Sequence, residues 1–194
     1  METGQSGVGS WQTRSIVSHM FPLLVVLSVI VLWAGLTLEQ AQQLLEEYGL
    51  LAVMVPTMVD MGGNLGAILS SRLTTRLHLG TTEFDPRDRV LLANVAAILA
   101  LAATLFVGLA VGAWVVGQII GAAIGFRELL VISVTSGMSV AVLAVVFSIV
   151  TTFGSYRLGV DPDDTTVPIV TNVVDVFGMI IFLGVSRIVL DIPV

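Results

Sequence analysis

Two aspartates of this sequence, Asp60 and Asp175, stand inside long apolar stretches. In helices that cross a bilayer they would lie about 16 Å and about 14 Å from the start of their helices, close to the membrane centre. A carboxylate at that depth has to be paired, hydrated or neutralised, and such residues usually mark an ion or proton path. Both are therefore candidates for chemistry. The alternative is that each is protonated or hydrogen-bonded to a neighbour for packing.

Oxygen-bearing side chains share the helical face of each aspartate. Asn64 follows Asp60 by one turn, and Thr171 and Asn172 precede Asp175 by one turn. Hard cations prefer oxygen ligands, and Mg²⁺ keeps much of its water, so a few carboxylates on a wet path suit it better than a closed cage. We predict that these five residues bind a metal cation and that Asp175 is the main ligand.

Prolines and glycines interrupt both apolar stretches, and we predict that they shape the path of the ion. The alternative is that the glycines form only a helix kink or a packing notch. A phosphate-binding loop is excluded because no strand precedes the glycines and their spacing does not fit a dinucleotide fingerprint. The predicted pore-shaping residues are Pro56, Gly62, Gly63, Gly66, Pro168 and Gly178.

Three further acids, Asp161, Asp163 and Asp164, come just before the last apolar stretch. They are predicted to form an acidic cytoplasmic mouth that concentrates cations. The alternative is that they only serve the start of a helix. His78 lies near the end of its apolar stretch and is interpreted as an interfacial residue.

Composition places the chain among membrane proteins. It has 194 residues, of which 56% are hydrophobic, and its apolar runs reach about 20 residues. The net charge of -6 argues against nucleic acid as a partner. The absence of cysteine from the sequence excludes disulfides and thiolate metal sites. No nucleophile–base set is visible, so we predict neither an enzyme nor a resident cofactor.

The fold class predicted from these runs is all-α, a polytopic membrane protein of five transmembrane helices. We expect a flexible tail at 1–15 and one domain at 16–194, with helices at about 16–38, 49–73, 90–116, 129–153 and 166–190. Most arginines fall on the side of the N-terminus, which predicts a cytoplasmic N-terminus and an outside C-terminus in the cell membrane. The arginines on the N-terminal side are Arg14, Arg72, Arg76, Arg87, Arg89 and Arg157, and those on the other side are Arg127 and Arg187.

Two motifs in the chain resemble the transmembrane domain of the MgtE magnesium channels and the related solute carrier family 41. The resemblance covers about residues 15–192. Where that family often has a polar Gln or Thr after its glycine motif, this chain has Ala67 and Ile68. The first motif is Pro56…Gly62-Gly63-Asn64-x-Gly66, and the second is Asp161-Pro162…Pro168-x-x-Thr171-x-x-x-Asp175-x-x-Gly178.

The resemblance implies a homodimer in which the second and fifth helices line an ion path at the subunit interface. It also implies that Asp175 binds hydrated Mg²⁺, which is then the transported ion. Solute carrier relatives carry two such halves in one chain, so the expected partner is a second copy or a homologous half-protein. The expected function is that of a divalent cation channel or transporter, most simply for Mg²⁺. The alternatives are a Na⁺- or H⁺-coupled exchanger and a non-transporting half-subunit of a larger membrane assembly.

Overall fold

A computed structural model of the chain describes residues 6–81 and 87–191, with side chains from residue 17 onward except at position 19. The prediction of an all-α fold is confirmed, since every regular element in the described residues is a helix. The helices are α1 (Ser6–Gln40), α2 (Gln42–Glu47), α3 (Gly49–His78), α4 (Arg89–Ile120), α5 (Phe126–Arg157) and α6 (Pro162–Val189).

Five of these helices, α1 and α3 to α6, are long and apolar enough to cross a membrane, as predicted. Their ends differ from the predicted bounds because the outer turns are amphipathic and carry little hydropathy signal. Helix α3 continues to His78 instead of stopping near residue 73, and α6 already begins at Pro162. Helix α1 begins at Ser6, so residues 6–15 of the expected tail are helical, and residues 1–5 lie outside the described part.

Helices α3, α5 and α6 form the centre of the bundle, and small residues bring them together. A Cβ atom placed on Gly62 would stand 2.5 Å from Val140 Cγ1 of α5 and 2.9 Å from Val174 Cγ1 of α6. Such contacts are possible only because glycine has no side chain, as is common where membrane helices pack closely. The missing side chain of Gly62 therefore allows both α5 and α6 to approach α3 closely at this point.

Helix α4, which also contacts α3, packs mainly against α5. The hydroxyl of Ser133 donates a hydrogen bond of 2.7 Å to the carbonyl oxygen of Phe106, which joins the two helices. The fully buried ring of Phe106 fills the space over Gly137. Helix α1 packs against α6, and Arg187 Nη2 donates to the carbonyl oxygen of Gln40 at 3.3 Å.

Aspartates begin two of the long helices. The Asp88 carboxylate accepts from Val90 N at 2.9 Å before α4, and that of Asp161 accepts from Asp163 N at 3.0 Å before α6. Each satisfies an amide at the start of its helix. Helix α4 ends at Gly121, whose φ of 72° suits glycine.

The contact between Gly137 and Phe106 predicts the effect of one added methyl group. Gly137→Ala would push a Cβ into the ring of Phe106, and overpacking of this kind typically costs about 1–3 kcal/mol. We expect a lower midpoint of thermal unfolding, measured on the purified protein in detergent. Gly154→Ala in the same helix is the control, since its Cβ would meet nothing within 4 Å. An equal midpoint for the two variants would contradict the packing described here.

Candidate functional site

Asp175 of α6 lies against the backbone of α3 at Gly63. A Cβ atom placed on Gly63 would stand 3.5 Å from Asp175 Oδ1 and 3.8 Å from Thr171 Cγ2. A methyl group would thus already touch the carboxylate, and a longer side chain would press on it. Asp175 is half-buried here, so it keeps access to water or an ion while one side rests on α3.

Asp60, three residues before Gly63 on α3, is the second acid of this region. Three residues are about one helical turn, so Asp60 lies on α3 about one turn from the point where Asp175 rests on Gly63. Asn64 Nδ2 donates to Asp60 Oδ2 at 3.0 Å, and both side chains are exposed. This is the Asp–Asn bond that the packing alternative expects, but it uses only part of the acceptor capacity of the carboxylate. The remaining lone pairs can bind a cation or its water.

Thr171 and Asn172 direct their donors at their own helix. Thr171 Oγ1 donates to the carbonyl oxygens of Val167 and Pro168 at 3.0 Å and 3.2 Å, and Asn172 Nδ2 donates to Pro168 O at 2.7 Å. With the donors so engaged, the hydroxyl and amide oxygens are left as acceptors. A hydrated cation requires hydrogen-bond acceptors around it, because its coordinated water molecules donate hydrogen bonds outward.

The residues predicted to shape the ion path differ in their burial and in the side chains next to them. Gly62 and Gly66 are buried, and Gly66 contacts Val170 of α6 and Ala144 of α5. These two glycines hold the helices together, whereas Gly63 faces Asp175. Gly178 is also buried, in a position from which an added Cβ would meet Val140 and Val59 at 3.6 Å and 3.9 Å. Pro168 is half-buried inside α6, and Pro56 is exposed inside α3.

At one end of the bundle, His78 of α3 meets the acids that begin α6. His78 Nε2 lies 3.7 Å from Asp161 Oδ1, and His78 Nδ1 lies 3.8 Å from Asp163 Oδ2. We call His78, Asp161, Asp163 and Asp164 the mouth cluster; all four are exposed. The three aspartates place negative charge at this end of the bundle. The sequence interpretation of His78 as an interfacial residue did not connect it with these acids. The signal that could have done so is that α3 and α6 run antiparallel, which brings the end of one beside the start of the other.

A cavity of about 430 Å³ lies between α3 and α4, away from the two aspartates. Its walls are mostly apolar. The hydroxyls of Thr57 and Thr104, which line it, donate to carbonyl oxygens of their own helices. The cavity therefore offers little to a cation, and the candidate site is the face of α3 and α6 that carries Asp60 and Asp175.

Comparisons with known proteins match the part of the chain that holds this site. Residues 55–185 match the family model MgtE, described as divalent cation transporter. The chain is 31% identical over 170 residues to the magnesium transporter MgtE of Thermus thermophilus, covering 87% of the chain and 36% of that protein. It is 24% identical over 160 residues to solute carrier family 41 member 3 of Mus musculus, covering 79% and 33%. The chain spans about a third of the length of these relatives.

The helix cap at Asp161 predicts a difference between two acids of the mouth cluster. Asp161→Ala removes the bond to Asp163 N, and loss of such a cap typically costs about 1 kcal/mol. We expect its thermal midpoint to fall by about 2–4 °C. Asp164→Ala removes the same charge without removing that bond and serves as the control. Asp161→Asn retains a capping oxygen and should restore most of the loss. A midpoint for Asp161→Ala no lower than for Asp164→Ala would disprove the role of the cap.

Proposed function

Because the chain belongs to the MgtE family of divalent cation transporters, we propose that it moves Mg²⁺ or a similar divalent cation along the face of α3 and α6. The proposal rests on the position of Asp175, whose carboxylate lies against Gly63, about one helical turn from Asp60 on α3. The chain is a multi-pass membrane protein, and this pair of acids lies in the middle of its helices. The ion is cargo in this account, and the protein acts as a transporter and not as an enzyme.

A divalent cation suits a site to which α3 and α6 contribute one aspartate each, Asp60 and Asp175. Two carboxylates in a medium of low dielectric repel each other strongly, and an ion with two positive charges removes that repulsion. Mg²⁺ gives up its water reluctantly. The exposed and half-buried oxygens of this face can hold its hydration shell without forming a closed cage, so contact through water is expected.

A second copy of the chain would cover the side of α3 that carries Asp60. Four residues at successive turns of α3 are exposed, namely Pro56, Asp60, Asn64 and Ile68, which we call the α3 stripe. An acid and an amide facing lipid at this depth would be costly. Two-fold pairing of the stripe would bury both side chains and double the number of acids around one axis. A homologous half-protein could fill the same position.

The orientation proposed for the membrane follows from charge. Arg72, Arg76 and Arg89 lie near the end of the bundle that carries the mouth cluster, and Arg157 ends α5 on the same side. Positively charged loops remain in the cytoplasm. The mouth cluster would therefore face the cytoplasm and offer acidic side chains to ions at that end, with the N-terminus inside and the C-terminus outside.

Loss of the charge on Asp175 should abolish most of the transport. Asp175→Asn preserves size and hydrogen bonding but removes two carboxylates from a dimer. Since each 1.4 kcal/mol lost at the barrier is about a tenfold change in rate, we expect Mg²⁺ flux to fall about tenfold or more. Asp60→Asn should have a smaller effect, because Asp60 already shares its carboxylate with Asn64.

The measurement is Mg²⁺ uptake into proteoliposomes at matched protein incorporation, with Glu47→Gln, an exposed acid of α2, as the control. Mg²⁺ flux that depends on an imposed Na⁺ or H⁺ gradient would indicate a coupled exchanger, and flux independent of both gradients would indicate a channel. Undiminished flux in Asp175→Asn would refute the site. Absence of flux from the parent protein alone would favour the half-subunit alternative.

Pairing of the α3 stripe predicts where two copies can be cross-linked. The chain has no cysteine, so single cysteines report without background. Ile68→Cys should form a disulfide between copies in the membrane, whereas Val111→Cys, exposed on α4, should not. Gel mobility after mild oxidation measures both. Efficient cross-linking at position 111 together with none at 68 would place the interface on α4 and reject this pairing.

A further inference from the structure

Three hydroxyl groups are buried between α3, α5 and α6 without a hydrogen-bond partner. Ser70, Thr152 and Thr166 are fully buried, and neither Ser70 Oγ nor the two threonine Oγ1 atoms makes a hydrogen bond. Other hydroxyls on these helices, such as those of Thr75 and Thr151, donate to the carbonyl oxygen four residues earlier. The three buried hydroxyls do not use this option. A buried hydroxyl left without a partner costs free energy, so their coincidence in one region requires an explanation.

The contacts between α3 and α5 fix the register of the first pair. These helices run parallel, because Met58 of α3 meets Ser136 of α5 and, further along both helices, Gly66 meets Ser148. The hydroxyl of Ser148 donates to the carbonyl oxygen of Gly66 at 3.0 Å. Ser70 and Thr152 each follow this contact by four residues on the same face of their helices. They therefore both lie about one turn beyond this contact, in the same direction along the two helices.

Helix α6 brings the third hydroxyl to that level. It runs antiparallel to α3, since Gly62 contacts Val174 and Gly66 contacts Val170. Thr166 precedes Val170 by four residues, so it lies one turn from the Gly66 contact in the same direction as Ser70 and Thr152. The bond of 2.9 Å from Thr165 Oγ1 to Ser155 Oγ confirms that α5 and α6 meet here.

We propose that Ser70, Thr152 and Thr166 form a binding site for one water molecule, the three-hydroxyl site. A buried water typically makes about three hydrogen bonds to polar groups that have no other partner, and three such groups converge here. Each hydroxyl can donate or accept, so a water can satisfy all three at once. The water would join α3, α5 and α6 where their side chains do not bond directly.

The chemistry of the site favours a neutral ligand over a cation. Its three side chains are uncharged, and an ion buried without a compensating charge would be very unfavourable. Most of the backbone carbonyls at this level already accept helical hydrogen bonds. Ser70 also lies on a buried face of α3, whereas the α3 stripe is exposed. The three-hydroxyl site is therefore separate from the proposed ion path, and its test does not depend on transport.

The test compares variants that remove one hydroxyl at a time with variants that remove several. Ser70→Ala, Thr152→Val and Thr166→Val each leave the water with two partners, so each should lower the thermal midpoint by about 2–4 °C. Because the three share one ligand, the triple variant should lose clearly less than the sum of the single losses. Unfolding of the full chain in detergent is followed by tryptophan fluorescence.

Ser186→Ala is the matched control. The hydroxyl of Ser186 is equally buried and unpartnered, but it lies about 30 Å further along α6. Its removal should leave the midpoint unchanged or raise it. If the three site variants also raise the midpoint, and do so additively, the hydroxyls are dry and the proposal is overturned.

Two further measurements on the parent protein identify the ligand. They remain informative if the variants do not fold. The midpoint of the parent protein should be the same in sodium, potassium and choline chloride at equal ionic strength. Selective stabilisation by one alkali cation would indicate that the site binds an ion and not a water molecule. In a high-resolution experimental structure of the parent, one density peak should lie within hydrogen-bond distance of all three hydroxyl oxygens. An empty space between them would reject the site.

Discussion

Placing a carboxylate in hydrocarbon is costly, and this cost determines what must surround Asp175 between α3 and α6. Asp175 cannot face lipid as a charged group without compensation. In the fold it rests on Gly63, with the oxygens of Thr171 and Asn172 one turn away on α6 and Asp60 one turn before Gly63 on α3. This surrounding is polar but carries a surplus of negative charge. A positively charged ligand would complete it, which connects the position of one side chain to the proposed transport of divalent cations.

The position of Asp175 in turn depends on how closely α3 and α6 approach. Gly62 and Gly66 meet Val174 and Val170 at distances that no side chain would permit. Gly63 between them lies against Asp175, where an added Cβ would be in ordinary van der Waals contact at 3.5 Å. Two glycines of the motif therefore set the helix packing, and the third faces the acid. Helix α5 supports this arrangement from behind through Ser148, which bonds to the backbone of α3.

Sequence reasoning could predict the five long helices and the two acids, because hydropathy and helical spacing are local properties. It could not distinguish Gly63 from Gly62 and Gly66, since only the contacts of α6 give these glycines different neighbours. It assigned His78 to the membrane interface because its acidic neighbours belong to a helix far along the chain. The three-hydroxyl site was hidden for the same reason. Each of its members is an ordinary helical Ser or Thr until three helices are brought into register.

The proposed transport requires a divalent cation to bind between α3 and α6 at Asp175. A structure of the protein determined in a membrane mimetic with Mn²⁺, which mimics Mg²⁺ and scatters anomalously, would locate that ion. We expect an anomalous peak near Asp175 and Gly63, separated from the carboxylate oxygens by the length of a coordinated water. The absence of a peak there, with Asp175 hydrogen-bonded as a neutral acid to a neighbouring side chain, would contradict it.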